Sequence, residues 1–290
     1  MAKNRKKKDS KNSQPLRSPY LFWERLFSLL GELYGGRIPG DYEYLLELLA
    51  NPGELVRLSG EGNPVSAKSD KSFRADRVFE EFLSQLDSEQ MLKLVPDTAA
   101  QSRDMLNFAA AVKMGKKEDE IWRRITGYAN MNRELAGAIC KRFPEVRALE
   151  IMGGNGLVSN LLSECGMRTV CTDIAPGRKN DYISMRTATF CDILPLDAVS
   201  AVKRFGKNCD LLVCSWPPQG ENRVLQAFKE FAKLRKDAKM LYFGELRGGF
   251  NADDEFFDSA QIVDELDGIN KLHIPHIGSK DVIRLLKLKS

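Results

Sequence analysis

The stretch Arg147-Ala-Leu-Glu-Ile-Met-Gly-Gly-Asn-Gly-Leu-Val-Ser-Asn-Leu-Leu162 constrains this chain more than any other. A short apolar run enters a glycine-rich turn, and an amphipathic segment follows. A second apolar run, Arg168-Thr-Val-Cys-Thr-Asp173, then ends on a lone carboxylate. Strand, glycine turn, helix and strand in that order make a βαβ unit suited to a nucleoside. Glycines let the backbone approach a ligand without side-chain interference. Asp173 falls at the carboxyl end of the second strand, where a ribose diol can donate two hydrogen bonds to it. A glycine-rich loop by itself also occurs in ordinary βα turns; the terminal acid is what favours nucleotide or nucleoside binding.

At 290 residues the chain has room for two domains, or for one large domain with an extension. Its 43% apolar residues suffice for a packed core. No apolar run approaches the roughly 20 residues that span a bilayer, so no membrane association is expected. The N-terminus has charges but no apolar segment behind them, so no secretory signal is expected either. The cysteines at 140, 165, 171, 191, 209 and 214 contain no CxxC pair and mostly fall in apolar runs. They read as reduced core residues of a cytoplasmic or nuclear protein, not as a disulfide frame or zinc site.

The net charge of +4 has to be divided before it informs. Residues 1–18 carry seven Lys or Arg (3, 5, 6, 7, 8, 11 and 17) against Asp9 alone, which is +6. The remaining 272 residues therefore carry −2. The basicity belongs to a tail too polar to fold. Asn4-Arg-Lys-Lys-Lys-Asp-Ser-Lys11 fits a nuclear-import signal, an arm for nucleic-acid phosphates, or a plain solubilising terminus.

Behind this disordered tail (1–18), residues 19–130 read as a helical region without a recognisable catalytic constellation. Apolar residues recur at three- and four-residue spacing from Tyr20 to Tyr34, and shorter helical patterns cover 42–50, 75–86, 88–95, 102–113 and 118–143. Residues 60–70 are a Gly, Ser and Pro-rich loop. From 131 to 290 the expectation is α/β. Strands at 147–152, 168–173, 188–192, 209–215 and 239–244 alternate with helices at 156–165, 195–205 and 221–235. That alternation implies a mainly parallel sheet with helices on both faces. Lys271–Ile277 and Asp281–Leu288 read as two final strands of a hairpin, which would put an antiparallel strand in the sheet.

This arrangement resembles the class I S-adenosylmethionine-dependent methyltransferase fold, a seven-stranded Rossmann-like sheet whose last strand runs antiparallel. The resemblance covers about residues 130–290. The family's first motif is an acid, one residue, then G-x-G-x-G. Here it reads Glu150-Ile-Met-Gly-Gly-Asn-Gly156, with Met152 in place of the first glycine and Gly154 and Gly156 matching. Gly153 stands where it can compensate. The resemblance implies S-adenosyl-L-methionine as cofactor, held by Glu150, Gly153, Gly154, Gly156, Asp173 on the ribose, and Asp192 on the adenine amino group.

Cys209-Asp-Leu-Leu-Val-Cys-Ser-Trp-Pro-Pro-Gln219 ends a strand in Trp-Pro-Pro. It is similar to the Asp/Asn/Ser-Pro-Pro-aromatic signature of methyltransferases that modify planar amines of nucleobases or glutamine. Two prolines rigidify the strand end and remove competing donors. Trp216 stands at the polar position, Ser215 precedes it, and Gln219 replaces the aromatic residue. The implied catalytic set is Ser215, Trp216, Pro217 and Pro218, with a rigid strand exit and packed Trp as the structural alternative. Glu245, leaving the next strand in Gly244-Glu-Leu-Arg-Gly-Gly249, joins the set as proton or hydrogen-bond acceptor, or is a loop carboxylate paired with Arg247. Asp253 and Asp254 fit the first turn of a helix. His273 and His276, three apart on a strand, point to opposite faces, so no metal is expected.

The functional expectation is a methyltransferase with an unidentified acceptor, nucleic acid or protein amines among the candidates. The alternative is a degenerate methyltransferase fold kept as a binding or scaffold module, which Met152 and Trp216 favour. An NAD-dependent oxidoreductase is weaker, because Ser159 stands where a third glycine belongs.

Overall fold

The computed structural model describes residues 21–35, 81–111, 123, 125–176, 188–220, 222–276 and 278–289. The basic tail, the helix expected at 42–50, the loop at 60–70, and parts of the helices expected from 75, 102 and 118 lie outside these residues.

In the first part, α1 (Leu21–Tyr34), α2 (Ser88–Leu94) and α3 (Ala99–Ala111) follow the apolar spacing of the sequence. Asp87 starts α2 with a capping box, its carboxylate accepting from Gln90 N while the Gln90 side chain accepts from Asp87 N. The long helix expected at 118–143 is broken. Gly127 and Asn130 take positive φ of 66° and 42°, and a new helix, α4 (Arg133–Arg142), starts at Asn132, which accepts from Leu135 N.

Seven strands then form one sheet in the order β3-β2-β1-β4-β5-β7-β6. They are β1 (Arg147–Ile151), β2 (Arg168–Asp173), β3 (Ile193–Pro195), β4 (Leu211–Ser215), β5 (Met240–Gly244), β6 (Ala260–Asp264) and β7 (Val282–Leu288). Pairing is parallel from β3 through β5, and β7 runs antiparallel to both β5 and β6. Between the strands lie α5 (Leu157–Glu164), α6 (Ala198–Phe205), α7 (Arg223–Leu234), α8 (Asp254–Ser259) and α9 (Asp267–Asn270). The strands alternate between two apolar layers. Ala148, Val213, Leu241, Phe243 and Ile283 join α1, α2, α4 and α5 on one face. Leu149, Ile151, Leu212, Cys214 and Tyr242 join α6 and α7 on the other.

The expected α/β architecture with its antiparallel last strand is present, with two displaced strands. The third strand is Ile193–Pro195, not 188–192. It is an edge strand, where proline's missing N–H costs nothing. The sixth strand is Ala260–Asp264, not 271–277. Residues 271–276 lie outside strands and helices, anchored by side chains: Asn130 Nδ2 donates to Ile274 O, and Asn132 Nδ2 to Leu272 O at 3.1 Å. His273 and His276 are both buried there, the first 2.8 Å from Asp281 Oδ2 and the second 3.0 Å from Gly127 O.

Candidate functional site

The carboxyl ends of β1, β2, β4 and β5 open into one cavity of about 650 Å³, a size suited to a nucleoside-bearing ligand. Gly154 and Asp173 form one end, Ser215, Trp216 and Pro218 the middle, and Glu245, Phe250 and Ser279 the far wall.

The glycine turn is built by left-handed backbone. Met152, Gly154 and Gly156 take φ of 55°, 59° and 77°. Only glycine adopts this region without cost, so Met152 carries strain of order 1 kcal/mol. Gly156 is also sterically required, because a Cβ there would lie 2.6 Å from Cys191 Sγ. Gly153 seats the turn on β2, donating to Thr172 O at 3.0 Å. Asp173 closes the turn, accepting from Gly154 N at 2.9 Å and from Ala175 N at 2.8 Å on its two oxygens. Each oxygen keeps a lone pair for a further donor.

Of the residues expected at the cofactor, Gly154 and Asp173 line the cavity, whereas Glu150, Gly153, Gly156 and Asp192 do not. Glu150 lies beneath the turn, 2% exposed, with Oε2 accepting from Ser159 N at 3.0 Å and from Ser159 Oγ at 2.5 Å. It fixes the start of α5 against β1. Burial pushes its carboxyl up to about 7, against the opposing hydrogen bonds from Ser159 and Cys171. Asp192 is exposed and outside the cavity lining, because β3 begins one residue after it. The acid that does line the cavity beyond β3 is Asp197, which caps α6 through Val199 N and Ser200 N, both at 3.0 Å. The Ser200 side chain first, and then the backbone N–H groups of Ser200 and Val199, hold its carboxyl below the usual range. The capping pattern Asp197-Ala-Val-Ser is legible in the sequence, but an expected strand at 188–192 points to Asp192, whereas the strand at Ile193–Pro195 leads to Asp197.

The diproline segment sits at the exit of β4. Trp216 has φ 48°, donates its backbone N–H to Phe243 O at 2.8 Å, and stacks near Tyr128 with ring centroids 6.1 Å apart. The Arg123 guanidinium lies 5.3 Å from the Trp216 ring and 5.1 Å from the Tyr128 ring. Ser215 Oγ and Trp216 Nε1 are buried and without a hydrogen-bond partner among the described residues. Pro217 O accepts from Ala252 N at 2.9 Å, and the Gln219 amide donates to Gly249 O at 2.8 Å. Gln219 therefore ties two loops together. Asp253 does the same, accepting from Gly220 N at 2.8 Å and Asn222 N at 3.1 Å, while also preceding α8.

Glu245 is neither a solvated loop carboxylate nor the partner of Arg247, which pairs with Asp254 and Asp258. It is 6% exposed, and its two oxygens accept from Phe250 N at 2.9 Å and Lys280 N at 2.8 Å. It clamps the loop after β5 to the loop before β7. Arg123 and Tyr128, from the helical region, were not anticipated; their signal was the Gly127 and Asn130 breaks, which turn this segment toward the sheet.

Among the described residues no group of three or more His, Cys, Asp or Glu is placed to hold a metal. No described helix is long and apolar enough to cross a membrane. The strand order, with β7 inserted antiparallel between β5 and β6, and the glycine turn after β1 decide the fold. It is the class I S-adenosylmethionine-dependent methyltransferase fold. No family model matches the chain, and no curated protein matches it. Solved structures do. MtNAS in complex with MTA and tNA is 16% identical, with 94% of this chain and 100% of that chain covered and a TM-score of 0.37. The mitomycin 7-O-methyltransferase MmcR is 12% identical, with 81% and 82% covered and a TM-score of 0.40. A SAM-dependent methyltransferase from Archaeoglobus fulgidus is 14% identical, with 56% and 97% covered and a TM-score of 0.34. The methyltransferase fold is established by the strand order, not by these overlaps.

Proposed function

We propose that this chain is an S-adenosylmethionine-dependent methyltransferase whose cofactor lies over the 152–156 turn. The observation that carries this reading is Asp173. It stands at the carboxyl end of β2, anchored to Gly154, and shares one cavity with the exit of β4. The residues fit the cofactor in kind. Space is open beside Gly154, where a Cβ would meet nothing within 4 Å, so a ligand can rest on the turn. Asp173 binds the ribose diol; Leu196 and Asp197 border the adenine end; Ser215 and Trp216 face the methyl end.

When bound, the cofactor supplies a methyl group that its sulfonium already makes electrophilic. The protein has to hold an acceptor lone pair in line with that methyl and keep water away. Alignment of this kind is worth about 7–11 kcal/mol. The rigid exit at Pro217 and Pro218 and the clamped 245–251 loop are suited to it, since neither wall has to move to take position. A second reading, a degenerate scaffold, draws on Met152, a strained side chain in the place of a glycine that also lines the cavity.

Isothermal titration with S-adenosylmethionine separates the two. The methyltransferase reading expects micromolar binding by the full chain. Asp173→Asn, which keeps one acceptor oxygen for the turn, should weaken it at least tenfold with melting within a few degrees of the parent. No binding heat from the parent chain would favour the scaffold.

A further inference from the structure

Building on the methyltransferase reading above, we propose that the methyl acceptor is an aliphatic amine. It enters as an ammonium ion seated between Glu245 and the Phe250 ring, and Glu245 takes its proton before transfer.

The diproline exit does not build a seat for a planar amine. Trp216 stands where a polar acceptor belongs, and the Gln219 amide, standing where a ring belongs, is spent on Gly249 O. Acceptor and ring come instead from the loop after β5. Glu245 and Phe250 both line the cavity, and Phe250 N donates to Glu245 Oε2 at 2.9 Å, so carboxylate and ring belong to one wall.

Three features of that wall select a cation. Glu245 is 6% exposed, yet its carboxylate meets two neutral main-chain N–H groups and makes no ion pair with a described Lys, Arg or His. A buried carboxylate is ordinarily matched by a cation, and one N–H on each oxygen leaves a lone pair on each for a further donor. Ser279 Oγ, also in the lining, has only acceptors for partners, the Asp281 carboxylate and His276 O. Its single hydrogen is committed to them, so toward a ligand it offers lone pairs. Phe250, 79% exposed at the same rim, adds an aromatic ring that attracts a cation. The Arg123 guanidinium is stacked on Trp216 and Tyr128, in the middle of the cavity.

The step balances in atoms and charge. One ammonium proton passes to a Glu245 oxygen, which frees the nitrogen lone pair. That pair forms the new N–CH₃ bond as the S–CH₃ bond breaks, and the electrons of the broken bond stay on sulfur. The product leaves as a methylammonium ion. Glu245 then returns its proton to water, so one proton is released for each methyl transferred.

The test uses the full chain, with and without S-adenosylhomocysteine, titrated with benzylammonium, aniline and benzoate. We expect benzylammonium to bind at least tenfold more tightly than aniline, the planar neutral amine, and benzoate to bind most weakly. Glu245→Gln, which keeps one acceptor oxygen and removes the charge, should erase that preference. Phe250→Leu keeps the apolar bulk and removes the ring, so it should weaken benzylammonium at least threefold; this exposed position decides the matter where Glu245→Gln fails to fold. Equal binding of the probes, a preference for aniline or benzoate, no binding by any probe, an unchanged preference in folded Glu245→Gln, or unchanged benzylammonium affinity in Phe250→Leu would overturn the assignment. S-adenosylhomocysteine binding without cation preference sinks the acceptor alone. Cation preference without S-adenosylhomocysteine binding supports the subsite and sinks the cofactor reading.

Discussion

Glu150 closes the base of the glycine turn with a carboxylate that solvent does not reach. A carboxyl raised from 4.5 to about 7 by burial makes the folded state sensitive to pH near neutrality. Below pH 4.5 the group is protonated in both states and imposes no penalty. Between that pH and about 7 the unfolded chain has lost the proton while the folded chain keeps it, so stability falls as pH rises. Above about 7 the cost is complete, about 3 kcal/mol from the size of the shift. Glu150→Gln keeps an acceptor for Ser159 and cannot ionise. Urea denaturation from pH 5 to 8 should therefore show the parent losing stability while the variant stays nearly flat; parallel profiles would show that Glu150 does not titrate in this range. Asp173 could be placed from sequence because a lone acid ending an apolar run has few other uses. Glu150 could not, because the same acid fits the base of the turn as well as the cavity, and only the packing of Ser159 decides. Asp192 and Asp197 differ in the same way: a shift of a short strand moves one acid out and the other in.

At the level of elements, strands with buried neighbours on both sides were legible and edge strands were not. β4 and β5 are near-continuous apolar runs, and β1 is interrupted only by the buried Glu150 after its exposed first residue; all three are buried almost throughout, as parallel central strands must be. β6 carries Ile262 and Val263 at 41% and 44% exposure and shows no clean alternation, so nothing in its sequence marked it. Leu272, Ile274 and Ile277 looked like a strand by composition, but residues 271–276 are held by side-chain amides rather than by a ladder. Asn132 is the clearest of these. It is fully buried, caps α4 by accepting from Leu135 N at 2.8 Å, and donates to Leu272 O at 3.1 Å. Asn132→Ala should lose the cap and leave a carbonyl unpaired, a destabilisation of about 2–4 kcal/mol. Asn132→Asp keeps the cap oxygen without the donor and should fall between parent and Ala by urea denaturation. A loss under 1 kcal/mol in the Ala variant would mean that α4 and the 271–276 segment are held elsewhere.

For the whole molecule, the boundary expected at residue 130 does not coincide with a break in packing. One buried cluster contains Leu26, Leu29, Phe82, Leu83, Met91 and Leu94 from the helical region and Val213, Leu241, Phe243 and Ile283 from the sheet. The same region supplies Arg123 and Tyr128 to the cavity, while His276 reaches back to Gly127. Helices and sheet therefore share both a core and a site. Domains with separate cores tend to unfold separately, whereas a shared core couples the parts into one transition. Each buried apolar side chain is worth ~1.5–3 kcal/mol, so uncovering three or four removes most of the 5–15 kcal/mol that a fold of this kind retains. Removing residues 1–130 should accordingly leave a chain that aggregates or melts without cooperativity, measured by sedimentation and calorimetry. The full chain should show coincident transitions by far-ultraviolet and near-ultraviolet dichroism. A monodisperse, cooperatively melting 131–290 fragment would mean that the sheet closes its own core, and that the helical region is a cover added to it.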